Sequence, residues 1–390
     1  MSLAKDLDEA VKLGMNPDVT VSIPVNLERV SKHVEITKNR LILIGGEPTA
    51  GKSTMVQTTF ITDPIDWYLQ NQPKGVKLSI ISFLMERKQV EYTARWVSRK
   101  IYESVGEEIT AKKILGRDTN KLTKGQYELV SSWYKLLDDW EKDDLLVCIN
   151  GSKNPSGISM FIEAFAKRHG TIHKKNKEDK SYDNILAADT YEPNHPNHIV
   201  LVIGDNASVL DQEQGLDERG LVNKFNRTMV HARDVYGMSP VIVQHLNRDI
   251  SSTQRQRLGD LIPKLSDFAD TSQTQKAADI VIALLNPNVH ITKESGHHYL
   301  GYDLHKMKDE EGLEYFRSMH IIKNNFGAAN IGYPLGIHPQ YGTLKILPRT
   351  APDNPPPEQL YKEVTSGEWF KTPQMSIEPP KKSLILNKTT

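Results

Sequence analysis

Short, continuously apolar runs alternate along this chain with segments of helical periodicity. The runs at residues 41–45, 76–84, 145–150, 199–205, 240–244, 279–285 and 319–323 have the length and composition of buried strands. Between them, helical spacing follows Lys52 and recurs near residues 87–103, 123–141, 157–168 and 219–236. The last is the clearest, because Leu221, Phe225, Met229 and Ala232 share one face and Gly237 is placed to stop the helix. Strands that alternate with helices, several of them apolar throughout, predict an α/β fold with a mainly parallel central sheet flanked by helices.

Three segments depart from this alternation. Residues 1–20 predict a helical extension in which Leu3, Leu7, Val11 and Leu13 lie near one face. The simpler reading packs this helix on its own domain; in an oligomer it could instead grip a neighbouring subunit. Residues 171–197 are polar and aperiodic and predict a mobile insertion. Prolines at 355–357 and 379–380 predict an extended, poorly ordered tail over residues 349–390. The core domain then spans residues 21–348.

Composition narrows the partners. Lys+Arg and Asp+Glu both number 49, so any basic surface for nucleic acid must be local. The one cysteine, Cys148, cannot form an internal disulfide, which points to an intracellular protein. No apolar run approaches the roughly 20 residues that span a bilayer. The first 14 residues lack the apolar stretch of a signal peptide.

The chemistry begins at Gly46-Glu47-Pro48-Thr49-Ala50-Gly51-Lys52-Ser53, which fits G-x-x-x-x-G-K-S/T between a strand and a helix. Glycines let backbone N–H groups converge on phosphate oxygens, and the new helix adds its positive end. Lys52 then faces the β- and γ-phosphates of ATP, Ser53 ligates Mg²⁺, and Thr54 completes the nucleotide-binding set. Asp205 ends an apolar strand, where such a sheet opens onto its ligand, and is the second Mg²⁺ candidate; a turn or helix cap is its structural alternative. Glu86 ends the strand after the phosphate-loop helix and is the candidate general base, with Glu91 as fallback. The structural alternative for Glu86 is a glutamate at a helix N-terminus.

Taken in order, the phosphate loop, the strands ending at Glu86 and Asp205, and the run Pro240-Val241-Ile242-Val243-Gln244-His245-Leu246-Asn247-Arg248 resemble the DnaB-like hexameric replicative helicases. His245 falls at the family position that contacts the γ-phosphate and couples it to DNA-binding loops. Residues 267–282 resemble the family's DNA-facing segment. They keep Asp267 and the pair Ala278-Asp279, and depart at Ala269, Ser272 and Lys276. Residues 321–327 resemble the strand carrying Lys-x-Arg: Lys323 fits the lysine, and Asn325 stands where the arginine finger belongs. Structural alternatives remain for three of these residues: a core histidine for His245, and ordinary surface lysines for Lys276 and Lys323.

The resemblance covers residues 21 to 347 and implies a RecA-like P-loop NTPase core, in a compact phage-type form. It implies an ATP- and Mg²⁺-dependent DNA helicase or translocase that works in replication. The expected assembly is a homo-oligomeric ring, a hexamer, on single-stranded DNA, with a primase or loader as partner. The expected location is the cytoplasm of a bacterial or phage-infected cell. Lys52, Ser53, Glu86 and Asp205 would act from one subunit and Lys323 from its neighbour, with His245 on the γ-phosphate and Arg248 and Lys276 on the DNA. Arg317 is the arginine best placed to replace the missing finger. Two other readings stay open: a different RecA-like DNA-dependent ATPase, such as a recombinase, and a nucleotide- and DNA-binding scaffold that hydrolyses slowly.

Overall fold

The computed structural model describes residues 3–15, 22–86, 88–150, 153–174, 189–247, 250, 252, 254–255, 260–290, 297–350 and 354–371. One large sheet contains β1 (Ile42–Gly46), β2 (Lys77–Leu84), β3 (Leu146–Asn150), β4 (His198–Asp205), β5 (Ser239–His245), β6 (Ile280–Leu285), β7 (Phe316–Asn324), β8 (Ile331–Ile337) and β9 (Leu344–Ile346). Their order is β9-β8-β7-β6-β1-β5-β4-β2-β3. The strands from β6 to β3 run parallel, and β7, β8 and β9 continue the sheet antiparallel beyond β6. The seven expected strands are all present. β8 and β9 are additional; Gly332, Pro334 and Gly336 mask the strand pattern of β8.

Both faces of the parallel strands are buried under helices. On one face, α4 (Gln89–Val105) and α5 (Lys124–Lys142) bring Trp96 against Trp133 and Trp140, with ring centroids 6.1 and 5.1 Å apart. The shorter α3 (Asp63–Asn71) adds Ile65 to the same core. A capping box between Thr123 and Gln126 starts α5. On the other face, α6 (Pro155–His169) and α7 (Glu218–Asp234) present Ile158, Ile162, Phe165, Leu221, Phe225 and Met229. Asn154 and Asp217 cap these helices, and Gly237, at φ 69°, follows the end of α7.

Two expectations change. Residues 171–197 are not wholly irregular: Gly170–His173 and Thr190–Pro193 pair as an antiparallel ribbon, and residues 175–188 lie outside the described residues. The proline-rich tail folds as far as Lys371. Its helix α9 (Glu358–Thr365) and the turn Glu368–Phe370 bury Leu360, Tyr361, Val364 and Phe370 in a third core with Tyr102, Tyr302, Phe316 and Tyr341. Residues 372–390 lie outside the described residues. The N-terminal helix α1 (Leu3–Met15) forms, and two residues of its expected stripe, Leu7 and Val11, are exposed by 66 and 50%, as is the following Met15 by 77%.

Candidate nucleotide site

Four parallel strands end side by side. Gly46 pairs with His245 across β1 and β5, Leu84 pairs with Asp205 across β2 and β4, and β4 lies next to β5. The phosphate loop, His245, Asp205 and Glu86 therefore gather at the carboxyl edge of the sheet, where open α/β sheets bind their ligands. Close packing holds the loop's approach strand: a side chain at Gly45 would overlap the Phe268 ring.

The loop turns through two left-handed residues, Thr49 at φ 66° and Gly51 at φ 95°. Glycine adopts this conformation freely, whereas another residue gives up about 1–2 kcal/mol. Thr49 therefore needs its neighbours to hold it. The Ala50 N–H donates to the Glu47 carbonyl at 3.2 Å, and the helix α2 (Lys52–Met55) starts directly afterwards. Gly342 packs on the side chain of Thr54, and Ile337 lies beside Gly51, so the end of β8 and the loop after it flank this helix.

Lys52 is 8% exposed. Its ammonium donates to the carbonyls of Gly46 at 2.7 Å and Glu47 at 2.9 Å, and lies 3.1 Å from His245 Nδ1. Burial lowers its pKa to about 8, while Asp205, Glu86 and Glu47 pull the other way. The lysine thus rests on loop carbonyls, in a position to exchange them for phosphate oxygens. His245 also contacts the Asn206 amide through Nε2 at 2.9 Å. Burial, and then the Lys52 charge, hold the imidazole below its ordinary pKa, so it is neutral at pH 7. It links the lysine to the Asp205–Asn206 strand end.

Asp205 is buried and Glu86 is exposed, and the Glu86 charge acts on both Lys52 and His245. Glu91 instead pairs with Arg117 at 2.8 Å. Ser53 and Asp205 supply a hydroxyl and a carboxylate, the hard oxygen donors that Mg²⁺ takes, so this donor set fits the ion.

Other expected site residues are placed differently. The Lys323 ammonium donates to three carbonyls of its own chain, those of Gln275, Lys276 and Ala278, at 3.2, 3.4 and 2.6 Å. These lie at the C-terminal end of α8 (Ser272–Ala277), where a cation complements the helix dipole. Arg317 donates from Nε to the Thr49 carbonyl of its own phosphate loop at 3.2 Å. Asn325 lies just past the end of β7, with its amide 3.4 Å from Asp279 Oδ1. Asp279 also accepts from the Leu41 N–H and from Arg233. Asp267 is buried and pairs with Arg255 at 2.6 Å. Both aspartates therefore brace the chain. Lys276 is exposed, and Arg248 lies outside the described residues.

The sequence reading missed His290. It is 1% exposed and hydrogen-bonds the Glu47 carboxylate. Only the acidic residue inside the loop hinted that a partner was needed.

The sheet and its flanking helices define a RecA-like core. Two solved structures are each similar to 89% of the chain. One is an ATPase domain, at 15% identity and a TM-score of 0.61, with 99% of that chain covered. The other is a DnaB-like replicative helicase described with its interactions with primase, at 13% identity and a TM-score of 0.60, with 68% covered. The chain has the DnaB-like helicase fold. Its sequence matches no protein-family model and no curated protein.

Proposed function

We propose that the protein is an ATP-dependent helicase or translocase of the DnaB-like type, acting on single-stranded DNA as an oligomeric ring. The observation that carries this reading is the convergence of Lys52, Ser53, Asp205, Glu86 and His245 at one sheet edge within a DnaB-like fold. Bound Mg²⁺ would neutralise phosphate charge, held by Ser53 and Asp205. Lys52 orients the β- and γ-phosphates, and Glu86 takes a proton from the attacking water. His245, already in contact with Lys52, is placed to report the γ-phosphate to the segment that follows β5.

The exposed Leu7, Val11 and Met15 of α1 support the ring reading, because a second subunit is a natural cover for them. Primase is a candidate partner by likeness to the second solved structure. Among the described residues, no helix is long and apolar enough to cross a membrane.

One observation favours slower turnover than a helicase requires. Asn325 is uncharged, and both Lys323 and Arg317 are engaged within their own chain. On that second reading the protein is a nucleotide- and DNA-binding scaffold. Steady-state ATP hydrolysis with and without single-stranded DNA, together with strand displacement from a forked duplex, separates the two. DNA-stimulated turnover and displacement, both lost in Lys52→Ala, support the motor; slow, unstimulated turnover supports the scaffold. Normal hydrolysis by a folded Lys52→Ala protein refutes both.

A further inference from the structure

Two basic residues grip the phosphate loop from one side and have no part in the chemistry above. His290 follows the turn Pro287–Val289 after β6, and its Nε2 bonds the Glu47 carboxylate. Arg317, on β7, donates from Nε to the Thr49 carbonyl at 3.2 Å and from its terminal nitrogen to the Phe316 carbonyl at 2.6 Å.

The two grips are tied together. Glu314 lies 3.5 Å from the Arg317 guanidinium and accepts from the Asn286 side chain at 2.9 Å. Asn286 in turn caps the turn that delivers His290, accepting from the Asn288 N–H at 3.3 Å. Between the gripped residues lies Pro48, whose ring fixes its own φ. The stretch Glu47-Pro48-Thr49 is therefore pinned at both ends before any phosphate arrives.

We infer that Arg317 and His290 are positioning residues for the phosphate loop, acting on their own subunit. The inference rests on the nucleotide-binding reading of that loop. Its physical basis is twofold. Glu47 places a carboxylate in a loop that must accept a polyanion, and the bond to His290 fixes where that charge sits. Thr49 occupies a left-handed conformation that L residues disfavour, and the Arg317 hydrogen bond to its carbonyl holds it there. Both effects prepare the loop for the ground state and the transition state alike, so they act on affinity and KM rather than on kcat.

The test combines titration of a fluorescent ADP analogue with steady-state hydrolysis. The proteins are wild type, Arg317→Ala, Arg317→Lys, His290→Ala, His290→Gln and Lys52→Ala. Each alanine variant is expected to raise Kd and KM about tenfold or more, the effect of one lost charge-assisted hydrogen bond. kcat should stay within about threefold of wild type. Arg317→Lys and His290→Gln retain a donor of similar reach and should recover most of the affinity, which a misfolded protein would not. If Kd and KM are unchanged in both alanine variants while Lys52→Ala abolishes binding, the clamp is wrong and the nucleotide site stands. If Lys52→Ala binds normally, both fail. A fall in kcat at constant KM also overturns the inference. Mixing Arg317→Ala with Lys52→Ala subunits tests the direction of action: hydrolysis above the sum of the separate proteins would mean that Arg317 acts across an interface, and no gain supports action in cis.

Discussion

Truncating Phe370 to alanine removes a ring that is 0% exposed and packs on His338 and Tyr315, with centroids 5.5 and 6.3 Å away. The ring also closes over Gly336 of β8. Loss of a buried phenylalanine costs about 3–5 kcal/mol, from lost burial and from the cavity left behind. Domain stabilities are about 5–15 kcal/mol, so this one change removes about a fifth or more of the total. Urea unfolding should show a lower midpoint at unchanged slope. Leu7→Ala, at a site 66% exposed, should shift stability by no more than about 0.5 kcal/mol. The loss should also reach the nucleotide. Backbone bonds close the loop after β8, from the Gly342 N–H to the His338 carbonyl at 2.8 Å and from the His338 N–H to the Thr343 carbonyl at 2.9 Å, and Gly342 lies against Thr54. A midpoint equal to wild type would refute the docking of the C-terminal segment and, with it, the third core.

Glu86→Gln should leave ATP bound while lowering kcat by ~10²–10⁴, the usual worth of a general base; Asp205→Asn should instead raise the Mg²⁺ concentration needed for half-maximal turnover. His245→Ala should preserve part of the basal ATPase and lose its stimulation by single-stranded DNA; full stimulation would make His245 a structural residue. Lys323→Ala leaves the carbonyls at the end of α8 without their cation and should raise amide hydrogen exchange in residues 272–278, with Lys323→Arg largely protected. Acid should destabilise the fold through His320 and His338, which burial lowers from 6.5 to about 4. The unfolded chain binds these protons first, so stability is full above about pH 6.5 and falls towards pH 4, by about 2 kcal/mol per histidine at pH 5. Urea midpoints at pH 7 and 5 measure this, and His320→Gln should flatten the difference.

Much of the site was legible because it depends on strand ends. A strand that is apolar throughout announces burial on both faces, and the residue closing it sits at the sheet's edge whatever the strand order. Glu86 and Asp205 could therefore be listed together before the order β1-β5-β4-β2 was known, whereas Lys52 came from the phosphate-loop motif and His245 from the resemblance to the helicases. The tail was misread for a compositional reason. Its prolines outweighed the spacing of Leu360, Tyr361 and Val364, which is that of one helical face starting after Pro357. His290 was invisible because its importance lies in a contact with a residue 243 positions away.

The different surroundings of Arg317 and Lys323 have a single geometric cause. Strict strand alternation would put residues 317, 319, 321 and 323 on one face. Along β7, however, Lys323 pairs with Val281 and Ile321 pairs with Ile282, leaving Ile322 as an extra residue at a β-bulge. Paired residues share a face, and Val281 and Ile282, being consecutive on β6, face opposite sides. Val281 belongs to the core under α6 and α7, and Ile282 to the core that contains Met55 and Val56 of the phosphate-loop helix. One inserted residue thus turns Arg317 towards the phosphate loop and Lys323 towards α8. A positive charge offered to a neighbouring subunit from the end of β7 would have to come from the α8 face, and it would have to give up the three carbonyls that now hold Lys323.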